Sequence, residues 1–288
     1  MNMIWNVIYD TLLDGIKLLP FLFVTYLAME YIEHKAGSKA ERMIRRSGRF
    51  GPMIGGVLGI VPQCGFSTAA ANFYAGRIIT LGTLFAVFLS TSDEMLPILI
   101  SEQVSPGVIG KILGIKVLIR MVAGFLIDFI VSHRNIFHEE PLRIDHMCDH
   151  EHCHCREGKI WKSALRHTLQ IFVFILIVSF LLNLVIGFVG EETLSELLIK
   201  VPVLGPVFTG AVGLIPNCAS SVAITQLYLE GVLNAGSMMA GLLVSSGVGL
   251  LVLFRVNESK KENLKITVIL YMIGIVSGII IEAAGLMF

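Results

Sequence analysis

The chain has 288 residues, 55% of them hydrophobic and only 15% charged, with 22 basic against 22 acidic side chains, and its mean hydropathy is +0.77. A soluble domain carries about a quarter charged residues, so this composition excludes an ordinary water-soluble fold. A net charge of zero excludes a strongly basic nucleic-acid-binding surface. Apolar runs of the roughly 20 residues that a spanning helix needs recur along the chain, which implies an all-α polytopic membrane protein.

Residues 1–10 show neither a positive leader nor a small-residue cleavage site, so the first apolar run, Ile4 to Tyr31, is expected to stay as a helix. The next stretch carries Lys35, Lys39, Arg42, Arg45, Arg46 and Arg49, and a short basic loop beside a membrane helix is expected on the cytoplasmic side. Pro52 to Gly76 is apolar but interrupted at Pro62-Gln63-Cys64-Gly65, where proline removes a backbone donor and breaks a helix. Ile78 to Ile100 and Val108 to Val131 are expected to span. The first contains Ser90-Thr91-Ser92-Asp93-Glu94, and the second contains Lys116, Arg120 and Asp128. The loop between them, 101–107, has an acid and no base.

A polar linker, residues 133–161, separates this half from the next. It contains His146, Cys148, His150, His152, Cys153, His154 and Cys155. Such density of imidazole and thiol is a metal-binding composition, suited to Zn²⁺ or Cu⁺ more than to Mn²⁺ or Mg²⁺. It lacks a finger spacing, and a buffer, a sensor or a merely solvated linker are alternatives to a role in transport.

The second half repeats the first. Ile215-Pro216-Asn217-Cys218 answers Val61-Pro62-Gln63-Cys64 at a shift of 154 residues (216 − 62), and the same shift relates Gly59 to Gly213, Tyr74 to Tyr228, Gly82 to Gly236, Gly124 to Gly278 and Asp128 to Glu282. The register holds without a gap, so the chain carries an internal duplication. Residues 162–189 answer the first helix, Val203 to Leu229 the interrupted segment, and Val232 to Phe254 and Ile266 to Gly285 the two spans. Placing the basic stretches 34–50 and 255–265 inside requires each interrupted segment to return to the side it entered from, or to cross twice. The halves, 1–132 and 162–288, then form inverted-topology repeats with proline-broken helices, the plan of an alternating-access transporter. Both termini are expected outside and the linker in the cytoplasm. The competing count gives parallel repeats and an external linker.

Inverted repeats bring two helix breaks to one cavity, so Gln63, Cys64, Asn217 and Cys218 are candidate substrate ligands, with Ser67, Thr68, Ser220 and Ser221 just beyond. The alternative is that proline and glycine only kink two helices, the cysteines being small buried hydrophobes. Asp93 and Glu94, with Ser92 beside them, are candidates for a cation or proton site because ionisable groups at membrane depth are costly. The second half has Gly247 and Val248 in their place. Asp128 and Glu282 are expected as solvated interfacial acids. Lys116 and Arg120 either neutralise an interior carboxylate or snorkel to the interface, and Asp14, Lys17 and His167 are undecided. Gly107 to Lys111 lacks the spacing and the Ser/Thr of a phosphate-binding loop, so transport is expected to draw on an ion gradient.

Val61-Pro62-Gln63-Cys64-Gly65-Phe66-Ser67, Ser90-Thr91-Ser92-Asp93-Glu94-Met95-Leu96-Pro97-Ile98 and Ile215-Pro216-Asn217-Cys218 resemble a family of bacterial and archaeal ten-transmembrane heavy-metal or arsenic efflux permeases, also labelled manganese transporters. The resemblance implies a permease and not an enzyme. The expected activity is proton-coupled efflux of a metal or metalloid ion, with no cofactor and a divalent metal as cargo. Expected partners are that ion, protons and the lipid bilayer, with no nucleic acid, and a homodimer is compatible. An exchanger for an organic solute or anion, working through Lys116 or Arg120, is the competing reading. A thiol enzyme would need a base near Cys64 or Cys218, and none stands close in the sequence.

Overall fold

The computed structural model describes residues 50–58, 64–90, 95–134, 205–216 and 218–286, with helical positions scattered through 8–27 and 161–181. No strand occurs among the described residues. Among the described residues five helices are bounded in the first half: α1 (Gly51–Leu58), α2 (Cys64–Ala75), α3 (Leu81–Phe88), α4 (Met95–Ser101) and α5 (Pro106–Arg134). Five more form the second: α6 (Gly205–Gly213), α7 (Cys218–Leu229), α8 (Ala235–Val244), α9 (Gly249–Val256) and α10 (Lys260–Ala283). Each of the second set starts 154 residues after its counterpart (205 − 51, and likewise through 260 − 106), so the duplicated sequence folds into duplicated elements.

Local chemistry sets the same boundary in both halves. Thr80 caps α3 by accepting from the Thr83 amide, and Asn234 caps α8 by accepting from the Ser237 amide. Each cap satisfies one of the helix's orphan N–H groups. Within each half three helices pack together, α1 with α3 and α5, and α6 with α8 and α10. Glycine permits the close contact between the last two of each triplet. A Cβ on Gly124 would lie 2.8 Å from the Gly82 carbonyl oxygen, and one on Gly278 2.5 Å from that of Gly236. Small residues at a crossing let backbones approach where hydrophobic driving force is weak.

Between halves the packing is reciprocal. Helix α2 lies along α9, and α7 lies against α4. The remaining outer faces are apolar: Leu118, Val122, Phe125, Phe129 and Ile130 on α5, and Val268, Met272, Val276, Ile279 and Ile280 on α10, are exposed. A water-soluble protein does not carry such continuous apolar faces, whereas acyl chains cover them without cost. The stretches Ala235–Val256 and Lys260–Ala283 are long and apolar enough to cross a membrane, at hydropathies of 2.0 and 2.3.

One expectation changes. The sequence reading takes 78–100 and 232–254 as unbroken helices, but α3 stops at Phe88 and α8 at Val244. In the second half, Ser245 turns into an extended conformation (φ −66°, ψ 94°), and Gly247, at φ 56°, redirects the chain into α9. High hydropathy concealed this interruption, because the residues causing it are small and sit in an apolar run.

Candidate functional site at the helix interruptions

Helices α2 and α7 begin at Cys64 and Cys218, directly after the two proline turns. Past Cys64, α2 turns a polar stripe inward, with Ser67, Thr68 and Asn72 all fully buried. Asn72 donates to the Thr68 carbonyl at 2.9 Å and accepts from the Tyr26 hydroxyl at 2.8 Å, which ties the first membrane helix to this stripe. The matching stripe on α7 is Ser220, Ser221 and Thr225, also buried. Thr225 donates back to the Ser221 carbonyl at 2.7 Å, and Ser220 to the Ile215 carbonyl at 3.3 Å.

The two halves meet at Ser67. A Cβ on Gly249, the first residue of α9, would stand 2.6 Å from the Ser67 Cβ and 2.8 Å from its hydroxyl oxygen. The start of α9 is thus pressed against the first turn of α2. Just upstream lie Ser245 and Ser246, both buried, and among the described residues the Ser246 hydroxyl has no hydrogen-bond partner. In the first half Ser90 is buried at the end of α3 and donates to the Val87 carbonyl at 2.6 Å. Helix N-termini carry unsatisfied N–H groups and a partial positive charge, so two of them beside buried hydroxyls can replace part of a ligand's hydration shell.

Ser67 and Ser221 therefore occupy buried positions on equivalent helices. The backbones of Cys64 and Cys218 start those helices, but their side chains lie outside the described set. So do Gln63, Thr91, Ser92, Asp93, Glu94, Asn217, Asp14, Lys17 and His167, and in the linker His146, Cys148, His150, His152, Cys153, His154 and Cys155. Among the described residues no group of three His, Cys, Asp or Glu is placed to hold a metal ion.

The charged residues within the helices divide into three arrangements. Lys116 and Arg120 are buried in the interior, each 1% exposed, on the face of α5 shared with Ile112 and Ala123, so neither snorkels to the interface. Among the described residues the Arg120 Nε and Nη2 have no hydrogen-bond partner, and a Cβ on Gly56 of α1 would lie 3.9 Å from the Arg120 Cγ. The second half has Leu270 and Gly274 at these positions.

Asp128 is half-buried, a departure from the expected solvated acid, whereas Glu282 is exposed as expected. Asp128 accepts from the Thr80 hydroxyl and the Gly82 amide, both at 2.7 Å, and Glu282 accepts from the Asn234 side chain at 2.7 Å. Each carboxylate clips the end of the last helix to the capped start of another, because an acid at a helix N-terminus satisfies free N–H groups and complements the dipole.

The third arrangement is absent from the sequence reading. Glu262, near the start of α10, receives a two-pronged contact from Arg77, Nη1 to Oε1 and Nη2 to Oε2, both 3.0 Å. The Tyr74 hydroxyl donates to the same Oε1, and Asn257 donates to Oε2 at 3.5 Å. Burial works against the Arg77 charge, but its bonds to Glu262 outweigh that and hold its pKa above the ordinary arginine value. Its signal in the sequence was loss of symmetry: Arg77 answers to Gly231, and Glu262 to Val108.

Buried hydroxyls where the two halves meet and apolar outer faces mark a helical membrane protein with a polar interior. The chain belongs to the family described as "Putative, 10TM heavy-metal exporter", whose model matches residues 4–191. The match takes in the first half, the linker and the helix after it, and stops short of the second proline turn. No curated protein and no solved structure matches the chain.

Proposed function

We propose that this protein exports a metal or metalloid ion by alternating access, driven by a proton gradient, with the ion held where the interrupted helices of the two halves cross. The observation that carries the proposal is Ser67 of α2 seated against Gly249 at the restart of α9, beside the buried Ser245 and Ser246. Irregular backbone at membrane depth is tolerated where it is enclosed by protein or lines a cavity, and crossed half-helices are how secondary transporters build ion sites.

Support for inverted repeats comes from which corners meet. Helices α3 and α5 run antiparallel, with Gly82 on Gly124 and Thr80 on Asp128, so residues 80 and 105 belong to opposite ends of the first half. The 257–259 corner is the counterpart of 103–105, yet it stands with Arg77, at the 76–80 end. Inverted halves produce that pairing, and parallel halves would bring 76–80 beside 230–234 instead. Gly51 packs on Thr83, so the interrupted segment begins at the 76–80 end and returns to it. The basic stretches 34–50 and 255–265 adjoin that end, which the positive-inside rule assigns to the cytoplasm. The linker 133–161 leaves from the same side, and both termini are outside.

In this scheme Asp93 and Glu94 take the cation or the proton. Gln63, Cys64, Asn217 and Cys218 form the cradle at the breaks, and Ser67, Ser92 and Ser221 supply hydroxyls. Thiols would favour Zn²⁺, Cu⁺ or arsenite, and carboxylates with amide oxygens would favour Mn²⁺. The test is flux in proteoliposomes for Mn²⁺, Zn²⁺, Cd²⁺ and arsenite, with and without a pH gradient. Metal-dependent proton movement is expected in the wild type and lost in Asp93→Asn. Equal flux in that variant refutes the assigned coupling site.

A second reading, an exchanger for an organic solute or anion, is favoured by the two buried cations Lys116 and Arg120. It would make flux depend on Arg120 and leave substrate binding intact in Asp93→Asn.

A further inference from the structure

The two ends of the duplicated fold are closed by different chemistry. At one end, α2 of the first half reaches the corner between α9 and α10 of the second. There Tyr74 and Arg77 hold Glu262, and Arg77 also lies over the Tyr74 ring, 5.0 Å from its centroid. The Arg77 and Glu262 side chains are only 16% and 9% exposed. Asn257 ties the corner together, donating to Glu262 and, at 2.6 Å, to Asn263. At the other end the counterparts are Tyr228, Gly231, Gln103, Val108 and Ile109, and Val104, Val108, Ile109 and Tyr228 pack into the hydrophobic core. Among the described residues an ion pair joins the halves at the first end, and apolar packing does so at the second.

The backbone marks Arg77 independently. It sits at φ 58°, a left-handed conformation, and its counterpart Gly231 sits at φ 75°. Glycine takes this conformation freely, whereas a side chain is strained in it. The first half thus carries a strained arginine where the second half does with glycine, and there the side chain grips Glu262 and lies over Tyr74. Glu262 is similarly diverted. Ser259 caps α10 by accepting from the Glu262 amide, a setting in which a glutamate would ordinarily return its carboxylate to the cap. Here the carboxylate goes to the other half of the molecule.

We propose that Tyr74, Arg77 and Glu262 form a latch that shuts one end of the transport pathway, and that this structure is the state closed at that end. This rests on the alternating-access reading above and adds where one closure lies and what holds it. To open the end, α2 must part from the 257–262 corner, which exposes a carboxylate and a guanidinium that had shielded each other from the apolar surroundings. The opposite end, among the described residues, parts mainly apolar packing. The asymmetry biases the resting protein towards closure at the latch, and an ion bound between the breaks must supply the difference for the latch to release.

The test uses the full chain in lipid nanodiscs and amide hydrogen exchange, a readout that requires no knowledge of the cargo. Arg77→Gly is chosen because glycine is native at the equivalent position and relieves the strained backbone; Glu262→Gln removes the charge from the other side. Both are expected to speed exchange in segments 74–80 and 257–263 by on the order of ten-fold or more, the scale for breaking a desolvated charge pair. Segments 228–234 and 103–109 should stay unchanged. The exchanged pair Arg77→Glu with Glu262→Arg should recover most of the protection. Unchanged exchange at 74–80 and 257–263 overturns the latch, and so does equal acceleration at both ends, which would mark the cluster as a general staple. If the latch behaves as stated while no metal is carried, the exporter reading alone fails.

Discussion

Replacing Arg120 with methionine separates what the fold needs from what function needs. Arg120 is 1% exposed, on the inner face of α5 beside Gly56 of α1, and its Nε and Nη2 have no hydrogen-bond partner among the described residues. Each buried donor left unmade costs roughly 1–3 kcal/mol. Replacing a buried charged group with an apolar one of similar volume has stabilised other proteins by about 1–4 kcal/mol. Methionine preserves most of the length and adapts to the gap. Arg120→Met is therefore expected to stabilise the fold by about 2 kcal/mol, which for a chain of this size raises the melting temperature by roughly 4 °C. Thermal unfolding of the detergent-solubilised full chain measures this, and flux in proteoliposomes measures the rest. Flux then separates the two readings: metal flux that persists fits the exporter, which gives Arg120 no part in the path, and flux that falls while melting rises fits the exchanger, which uses that charge. A melting temperature that drops by several degrees would refute the argument, because it would mean that Arg120 is held by the fold and not merely carried by it.

Two further outcomes follow from the same geometry. Gly124→Leu and Gly278→Leu each force bulk against the backbone of a crossing helix, at 2.8 and 2.5 Å from a glycine carbonyl. Both should destabilise by at least about 1–3 kcal/mol; unchanged melting in either would mean that the helices do not cross there. Exchanging residues 146–155 for a Gly/Ser segment should lower the metal bound per purified chain, measured by mass spectrometry, while leaving flux within about two-fold, as expected for a tether whose length is kept. Loss of flux would assign the linker to the pathway.

Much of the architecture was legible in the residues. The 154-residue shift, seen in prolines, glycines and one tyrosine, carries into the helices, whose starting points repeat at that interval. Hydropathy pointed to membrane helices, and the apolar outer faces of α5 and α10 agree. The interruption after Val244 was less legible, because serines and a glycine in an apolar run alter hydropathy very little. The site was only partly legible. Ser67 was a candidate for its place after a proline turn, but its seat on Gly249 depends on a helix nearly two hundred residues away in the chain.

The duplication, the membrane setting and the family motifs were determined by the sequence alone, since each is a property of residue order and of period along one strand of chain. Which half touches which was decided only in three dimensions. Lys116 and Arg120 could face lipid or interior from their spacing alone, and nothing local singles out Glu262 or Arg77. Their roles come from neighbours supplied by the other half, and a burial or a charge pairing between distant segments leaves no periodic trace for local reading to find.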